Sequence, residues 1–191
     1  MAKDYRTIPY AQVRRQDRAV TDEVWIKALL HRAPVGYLAT VYDRQPFINS
    51  NIYVYDEAQH VIYMHTARVG RTQENVEKRN RICFTVTETG RLLPAAEALE
   101  FSVEYAGVVV FGTAVIVSDE AEATHGLQLL LDKYAPHLQP GQDYRPPVPA
   151  ELQRTAVYRI NIEQISGKKK EVADDFPGAY LYEDVVGDKY R

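Results

Sequence analysis

The chain has 191 residues, of which 46% are hydrophobic and 26% are charged, and its formal net charge is -3. This length corresponds to one domain with a sizeable core, and the composition is that of an ordered globular protein rather than a disordered one. The slightly acidic balance argues against nucleic acid as a partner, because a protein that binds the phosphate backbone has a broad basic excess.

Cysteine usage and hydropathy indicate a soluble protein of a reducing compartment. Cys83 is the only cysteine, which excludes an intramolecular disulfide and a cysteine-based zinc site. It lies in an apolar, strand-like run, where a free cysteine packs more often than it reacts. The sequence has no signal-peptide pattern and no stretch near the roughly 18 apolar residues of a membrane span. We therefore expect a cytoplasmic protein that does not enter a membrane.

Residues 1–20 are polar and predict an N-terminal arm. A short amphipathic helix follows, with Thr21 as its N-cap and Pro34 as its end. Between these two residues, apolar side chains recur at helical spacing: Val24, Trp25, Ala28 and Leu29. After Pro34 the pattern changes from helix to strand.

Three short strands are predicted next, over residues 35–42, 47–55 and 61–66. Turn-forming residues at 43–46 and 56–59 separate them. Short strands joined by tight turns predict an antiparallel meander.

A helix is predicted over residues 70–79, and strands resume over 81–87 and 101–117. Within the last of these, residues 108–111 are apolar without alternation. Both faces of that strand should therefore be covered, one by the core and the other by a helix or a second subunit. We favour a second subunit.

The last third of the chain adds one helix and one strand. Ser118 or Asp119 can cap a helix that runs to about residue 135. A proline-rich loop over 140–149 then leads to a strand over 156–165 with strict alternation of apolar and polar residues. Residues 169–191 are polar with scattered aromatics and are expected to wrap the surface.

About six strands with three inserted helices predict a mainly β protein, a closed or half-closed antiparallel barrel. We place this barrel domain at residues 21–168, between the arm and a C-terminal tail. The element order is not the strand–helix–strand repeat of a dinucleotide fold. The sequence also has neither the glycine-rich dinucleotide motif nor a Walker phosphate loop.

The most informative segment joins the third predicted strand to the helix after it. His65 and Thr66 end the strand, and Arg68 and Arg71 flank Gly70, where the helix begins. Free N–H groups at a helix N-terminus favour an anion, and arginine adds a planar, bidentate donor. The alternative is a solvated turn whose arginines face water. The local sequence alone does not decide between the two.

Four motifs occur in order along most of the chain, from about residue 25 to 168. They are Gly36-Tyr37-Leu38-Ala39-Thr40, Tyr63-Met64-His65-Thr66 with Val69-Gly70-Arg71, Val110-Phe111-Gly112-Thr113-Ala114, and Ile165-Ser166-Gly167-Lys168. In this order they resemble the pyridoxamine-phosphate-oxidase-like flavoprotein superfamily, the FMN-binding split β-barrels. Within that superfamily the chain is most similar to the nitroimidazole-resistance (Nim) proteins.

This resemblance implies a homodimer that holds FMN at the subunit interface. The flavin phosphate requires cations and free N–H groups, which Thr66, Arg68, Gly70 and Arg71 are expected to supply. Lys78 is a further candidate for a phosphate contact.

Three more residues are candidates for contacts to the rest of the cofactor. Asn49 and Asn51 are the polar alternates of the second predicted strand and are expected to contact the edge of the flavin ring. Lys168 is expected to follow a Ser-Gly turn after the last predicted strand, and it either closes the cofactor site or faces solvent.

His65 is the one catalytic candidate, because by resemblance it stands beside the flavin. A histidine there can donate a hydrogen bond to the reduced ring or deliver a proton to substrate. The other four histidines are scattered at spacings that make no metal set, and we assign them no function: His31, His60, His125 and His137.

The resemblance implies an FMN-dependent oxidoreductase that passes electrons from a reduced donor to a small planar acceptor such as a nitroaromatic. Vitamin B6 oxidation is not expected, because the chain ends without the Arg-Leu-x-Pro-type segment of a true pyridoxamine-phosphate oxidase. Two alternatives remain open. One is a flavin carrier or redox sensor without turnover. The other is a deazaflavin-binding barrel or a haem-binding barrel, for which His65 would be a candidate axial ligand.

Overall fold

The computed structural model describes residues 4–187. Its strands are β1 (Ala19–Val20), β2 (Gly36–Tyr42), β3 (Gln45–Asn51), β4 (Tyr53–Asp56), β5 (Val61–Ala67), β6 (Arg81–Leu93), β7 (Ser102–Ile116) and β8 (Thr155–Lys170). Its α-helices are α1 (Glu23–Arg32), α2 (Arg71–Lys78), α3 (Glu120–Tyr134), α4 (Pro149–Leu152) and α5 (Tyr182–Val186). Three 3-10 helices are also present: Tyr5–Thr7, Gln16–Arg18 and Ala98–Glu100.

The strands form one antiparallel sheet in the order β3-β2-β6-β7-β8-β5-β4, with β1 paired to β8. This confirms the mainly β fold, although the described residues contain eight strands and five α-helices rather than about six and three. In the same part of the chain, no helix has the length and apolarity needed to cross a membrane.

The predicted meander is wrong, because the strand expected over residues 47–55 is two strands. β3 and β4 lie at opposite ends of the sheet path, and only Ile52 separates them in sequence. The Ile52 N–H donates to the side-chain oxygen of Asn51 at 2.8 Å instead of to a neighbouring strand. The amide nitrogen of Asn51 then donates to the carbonyl of His65 at 2.6 Å, so one side chain connects the ends of β3 and β5.

α1 covers the main core and begins one residue later than predicted. Asp22, not Thr21, is the N-cap, and its carboxylate accepts a hydrogen bond from the Val24 N–H at 2.9 Å. Leu29 and Leu30 are completely buried in the core cluster inside the barrel. Burial of each such side chain contributes about 2 kcal/mol.

The interior of the barrel is closely packed around aromatic rings. Phe84 and Tyr53 meet edge to face with centroids 5.1 Å apart, and both are buried. The Tyr53 hydroxyl is satisfied by the Leu30 carbonyl at 2.7 Å, so this buried polar atom carries no penalty. A second cluster packs β4, β5 and β8 against α3 and α4.

β8 is longer than predicted and continues to Lys170. Lys168 therefore lies within the strand, paired with Gly107 of β7 and Ala19 of β1, rather than after a Ser-Gly turn. The residues after Ile165 have little strand propensity, but the ladders on both sides hold them extended. β6 likewise runs to Leu93, beyond the predicted end at residue 87.

The strand predicted to be covered on both faces is only partly covered in a single chain. Val108 and Val110 are completely buried, whereas Val109 and Phe111 on the other face are half-buried. The ring of Tyr10, from the N-terminal segment, lies 5.7 Å from that of Phe111. Coverage of this face by a second subunit stays a prediction.

The backbone of the segment after β8 is hydrogen-bonded to an ion pair between β6 and β7, and its attachment to the barrel should depend on pH. Arg91 binds Glu104 at 2.8 Å, and the Val172 N–H donates to the same carboxylate at 3.0 Å. These two partners lower the pKa of Glu104 to about 2. A folded pKa below the unfolded one contributes stability above the unfolded value, which is lost as pH falls towards 2.

We expect Glu104→Gln to loosen the segment after β8 at neutral pH and to reduce the difference in stability between pH 7 and pH 3. Amide hydrogen exchange of residues 171–180 at both pH values measures the effect. Glu183→Gln, in the same tail but exposed, is the control. Equal protection in the wild type and Glu104→Gln at pH 7 would contradict this role.

Candidate functional site

β5 pairs with β8, and its last residues include the candidates His65 and Thr66, which lie on opposite faces of the sheet. Successive side chains of a strand alternate, so His65 and Thr66 point away from each other. Thr66 faces the barrel, where its hydroxyl lies 3.0 Å from the Tyr158 hydroxyl and also donates to the Ala67 carbonyl at 2.9 Å. His65 is half-buried on the face that Tyr63 shares. A ligand at this strand end would meet the side chain of one and the backbone of the other.

Gly70 forms the N-cap of α2 in a conformation that other residues rarely adopt. Its φ of 137° and ψ of 174° lie in a region open essentially only to glycine. Apart from Gly70 and its two chain neighbours, no described residue has an atom within 4 Å of where a Cβ would stand. The glycine is therefore required by the backbone and not by crowding, and the space beside it is open for a ligand to approach the backbone.

The N-terminus of α2 is left without a side-chain cap among residues 4–187. The N–H groups of the first helical turn have no partner within a helix, so they are available to an anion. Arg71 begins the helix and is exposed, and it makes no ion pair with any described residue. Both the helix dipole and a free guanidinium thus favour negative charge at this point.

Arg68 is the second cation of the turn and is partly anchored. Its Nε donates to the Thr155 carbonyl at 3.2 Å, and its own N–H donates to the Arg154 carbonyl at 3.3 Å. These two bonds fix the chain at the start of β8 and leave the terminal nitrogens of the guanidinium exposed. The turn therefore carries two arginines on a fixed backbone.

Asn49 and Asn51 lie beside the same turn, as predicted, but both already make internal hydrogen bonds. The Asn49 amide donates to the Thr72 hydroxyl at 3.1 Å, which connects β3 to α2. Asn51 connects the ends of β3 and β5 as described above. Each keeps further hydrogen-bonding capacity, because an amide has two donor hydrogens and two acceptor lone pairs.

A buried polar network under α2 was not predicted. Asn75 and Thr40 are each 1% exposed, and the Asn75 amide donates to the Thr40 hydroxyl at 2.8 Å. Thr72, one helical turn before Asn75, is also buried. The signal was present in the sequence as polar residues three apart on the inner face of a helix. This network fixes the orientation of α2 against β2 and β3.

Three buried side-chain atoms lack a hydrogen-bond partner in the described part of the chain. They are the Nδ1 of His65, the Oε1 of Gln73 and the Oδ1 of Asn75. All three belong to the short stretch from β5 to α2. Unpaired buried polar atoms are rare in native proteins, so each of these three atoms is open to a partner from a ligand or solvent.

Burial also favours the neutral form of His65. It lowers the pKa of the imidazole below its ordinary value, because the charged form is poorly solvated there. The neutral ring has one donor nitrogen and one acceptor nitrogen. Such a ring can both give and take a hydrogen bond.

The structure does not bring Lys78 and Lys168 to this turn within one chain. Lys78 ends α2, and eight helical residues place it about 10 Å from Arg71. Lys168 lies towards the opposite end of the sixteen-residue β8, with its Nζ 5.1 Å from the centre of the Tyr105 ring. Among the described residues, no group of three His, Cys, Asp or Glu side chains could hold a metal ion.

Several solved structures share this fold. The flavocytochrome Anf3 from Azotobacter vinelandii is 26% identical to this chain, with a TM-score of 0.74. The match covers 90% of this chain and 84% of the flavocytochrome chain. The FAD and haem binding protein from Mycobacterium smegmatis is 21% identical over 81% of this chain and 74% of its own, with a TM-score of 0.72.

A Bacteroides thetaiotaomicron protein described as a candidate 5-nitroimidazole antibiotic resistance protein is 16% identical. The match covers 80% of this chain and 90% of the Bacteroides chain, with a TM-score of 0.65, and this likeness shows the fold alone.

No curated protein sequence is significantly similar to the chain. The family model described as pyridoxamine 5'-phosphate oxidase matches residues 22–169, which is most of the chain. The chain therefore belongs to the pyridoxamine 5'-phosphate oxidase family of split-barrel proteins.

Proposed function

We propose that this protein is a flavin-dependent oxidoreductase that holds the flavin phosphate at the turn between β5 and α2. One observation carries the proposal: the three unpaired buried polar atoms of the described chain all lie from His65 to Asn75, next to an uncapped helix N-terminus. Membership of the family and the 26% identity to a flavocytochrome support it.

The residues of the turn fit the two halves of a flavin nucleotide. Arg71, Arg68 and the N–H groups after Gly70 provide positive charge for the phosphate. Asn49, Asn51 and His65 provide amide and imidazole groups for a polar ring edge. Thr66 contributes its backbone, because its hydroxyl faces the barrel and is bonded there. Lys78 and Lys168 are too distant within one chain to share this role.

A bound flavin would supply electron transfer, and the protein would supply position and protons. The imidazole of His65 can hold or pass a proton, and its buried Nδ1 has no partner in the described part of the chain. The Asn51 side chain holds the backbone of His65. Arg68, just after β5, is bonded to the start of β8 and holds the end of β5 in place. The imidazole is thus held on a rigid element, as proton transfer requires.

The cofactor is either FMN, as the motifs imply, or FAD. Structural relatives named as FAD-binding share this fold, including one from Mesorhizobium loti with 23% identity and a TM-score of 0.58. Both flavins carry a phosphate on the ribityl chain, so the contacts proposed here serve either. The mass of the flavin released on denaturation distinguishes them.

A second subunit is proposed to cover the outer face of β2, β3, β6 and β7. Tyr37, Val41 and Ile48 are 37%, 41% and 64% exposed on this face, next to the half-buried Phe111. Exposed apolar side chains grouped on a sheet favour association. Light scattering should give twice the mass of one chain, and a single-chain mass at micromolar concentration would contradict the dimer.

The proposed acceptor is a small planar molecule such as a nitroaromatic, and the proposed location is the cytoplasm. The acceptor proposal rests on the motif resemblance to Nim proteins. We expect His65→Ala to slow oxidation of the reduced holoprotein by a nitroaromatic about 100-fold, because a general acid–base group contributes at least that much. Anaerobic stopped-flow mixing of the reduced protein with the acceptor measures this rate.

The control is His137→Ala, which changes an exposed histidine beyond α3. Both variants should keep their flavin. An unchanged rate in His65→Ala would end the proton-transfer role. A wild-type protein that binds flavin but is not oxidised by any acceptor would instead be a carrier or redox sensor.

Haem binding is a second candidate function. It is favoured by the flavocytochrome of Azotobacter vinelandii, which is 26% identical to this chain over 90% of its length. Haem would add one-electron transfer to a flavin-binding barrel.

A further inference from the structure

Exposed charge of opposite sign is concentrated at the two ends of β6. The strand begins at Arg81, just after α2, and ends at Leu93, before the loop that leads to β7. Its thirteen residues separate these two ends by roughly 40 Å. The outer face of β6 between them belongs to the surface that we propose above to contact a second subunit.

The end of β6 at α2 carries a basic pole of five exposed cations. None of the five makes an ion pair with a described residue: Arg68, Arg71, Lys78, Arg79 and Arg154. Arg154 belongs to the pole because its carbonyl accepts the N–H of Arg68 at 3.3 Å. α2 also exposes Glu74 and Glu77, and the pole keeps a net positive charge.

The other end of β6 carries an acidic pole made of two segments, residues 94–101 and 172–187. Together they contain six exposed carboxylates and no lysine, arginine or histidine. Within residues 4–187, none of the six makes an ion pair: Glu97, Glu100, Asp174, Asp175, Glu183 and Asp184. Carboxylates gathered without a cation favour a cationic partner.

Both acidic segments are fixed to the end of the β6–β7 hairpin. Arg91 donates to the carbonyl of Asp174 at 2.9 Å and to that of Ala173 at 3.3 Å. Leu92 and Tyr180 exchange two backbone hydrogen bonds, of 2.7 and 3.2 Å. These bonds hold the carboxylates of both segments at one end of the molecule.

Both poles also expose apolar side chains. At the acidic pole Leu99, Phe101 and Tyr182 are 90%, 53% and 60% exposed, and at the basic pole Val69 is 83% exposed. Grouped apolar side chains on a surface mark interaction sites. Each pole therefore offers apolar area as well as charge to a partner.

A second copy of the chain supplies the complement of each pole. A two-fold interface is isologous, so contact of one subunit's acidic pole with its partner's basic pole is accompanied by the reciprocal contact. If two copies pack through the outer face of β6 with their strands antiparallel, opposite poles meet. If the strands are parallel, like charges meet, which is unfavourable.

We propose that the acidic pole of each subunit docks on the basic pole of its partner, so that the partner's hairpin completes the flavin turn between β5 and α2. This rests on the dimer and the flavin site proposed above and adds the orientation of the subunits. Arg68 and Arg71 serve the flavin phosphate, while Lys78 and Arg154 bind the partner's carboxylates. The partner subunit's Phe101 is an exposed ring that this contact brings to the turn.

Carbodiimide cross-linking of the purified, flavin-saturated protein tests the contact. The reagent joins an amine to a carboxylate without a spacer. Because roughly 40 Å separates the two poles along β6 in one chain, an amide between Lys78 and the acidic pole forms only between two copies. We expect mass spectrometry of the covalent dimer to find Lys78 joined to one of the six carboxylates. A covalent dimer in which Lys78 is joined only to other carboxylates would overturn the proposal.

Charge reversal gives a second, independent result. Glu97→Arg combined with Glu100→Arg should weaken the dimer about 10-fold or more at low salt, measured by sedimentation, and high salt should reduce the difference. Adding Lys78→Glu and Arg154→Glu to the same chain should restore the dimer, because opposite charges then face each other again. Failure of this restoration would contradict the pairing of the poles.

The matched control is Glu120→Arg combined with Asp132→Arg, which reverses two exposed carboxylates of α3 outside both poles. It should dimerise as the wild type does. A wild type that binds flavin as a monomer would overturn this inference and leave the flavin site standing. A dimer that shows the Lys78 cross-link but binds no flavin would overturn the flavin proposal and leave the docking of the poles standing.

Discussion

Replacing Gly112 by alanine is expected to lower the free energy of unfolding by about 3 kcal/mol or more, because the barrel has no room for a side chain there. A Cβ at this position would lie 1.9 Å from the carbonyl oxygen of Asn161. That atom belongs to the backbone of β8, so no rotamer change relieves the overlap. The β7–β8 ladder would have to open where its register shifts, between Phe111 and Gly112.

Gly107→Ala is the matched control, since it makes the same substitution in the same strand. A Cβ there meets nothing closer than the Val86 carbonyl oxygen at 3.7 Å, an ordinary contact. We expect its free energy of unfolding to stay within about 1 kcal/mol of the wild type. A small gain is favoured, because an unfolded chain with alanine has less backbone entropy to lose on folding than one with glycine. Urea unfolding followed by tryptophan fluorescence measures both variants. Equal stability of the two variants would contradict the close approach of β7 and β8.

Arg71→Ala is expected to weaken FMN binding about 10- to 100-fold while leaving riboflavin binding almost unchanged. The expected loss corresponds to one hydrogen bond to a charged group, worth about 1.5 to 3 kcal/mol. Riboflavin lacks the phosphate, so its affinity does not depend on a phosphate contact. Titration calorimetry of the apoprotein with each flavin measures the two affinities.

Arg79→Ala removes the same side chain at the other end of α2 and serves as the control. It should change the affinity for FMN less than about twofold, because the residue lies near the negative end of the helix dipole. If Arg71→Ala weakened FMN and riboflavin equally, the arginine would act on the fold or on the flavin ring and not on the phosphate.

The sequence predicted the fold well where the information is local. The periodicity of residues 70–79 located α2, which the structure places at Arg71–Lys78 with Gly70 as its N-cap. The alternation in residues 156–165 likewise located β8. Both patterns depend on neighbours a few residues apart, which a sequence displays directly.

The errors in the fold arose where distant parts of the chain decide the structure. The break at Ile52 is invisible in an unbroken strand-like pattern, because it depends on the Asn51 side chain and on His65. The extension of β8 to Lys170 depends on two ladders with β1 and β7. Pairing of this kind overrides local propensity.

In the candidate site, too, the features that depend on neighbouring residues were predicted and those that depend on distant residues were not. The residues of the turn, from Thr66 to Arg71, were predicted as a group because they are adjacent in sequence. The bond from Asn75 to Thr40 joins residues 35 positions apart and could not be predicted. Lys168 was grouped with the turn by its motif, but the structure places it beside Tyr105. Its contribution to a cofactor site stays a prediction that a second subunit would have to satisfy.

The most direct test of the flavin proposal is the absorbance spectrum of the purified protein, followed by mass identification of the molecule released on denaturation. The account predicts paired near-ultraviolet and blue flavin bands and the release of FMN or FAD at one per chain. A colourless protein that also fails to bind added FMN and FAD would contradict it, and the uncapped turn before α2 would then be a solvated feature of the barrel.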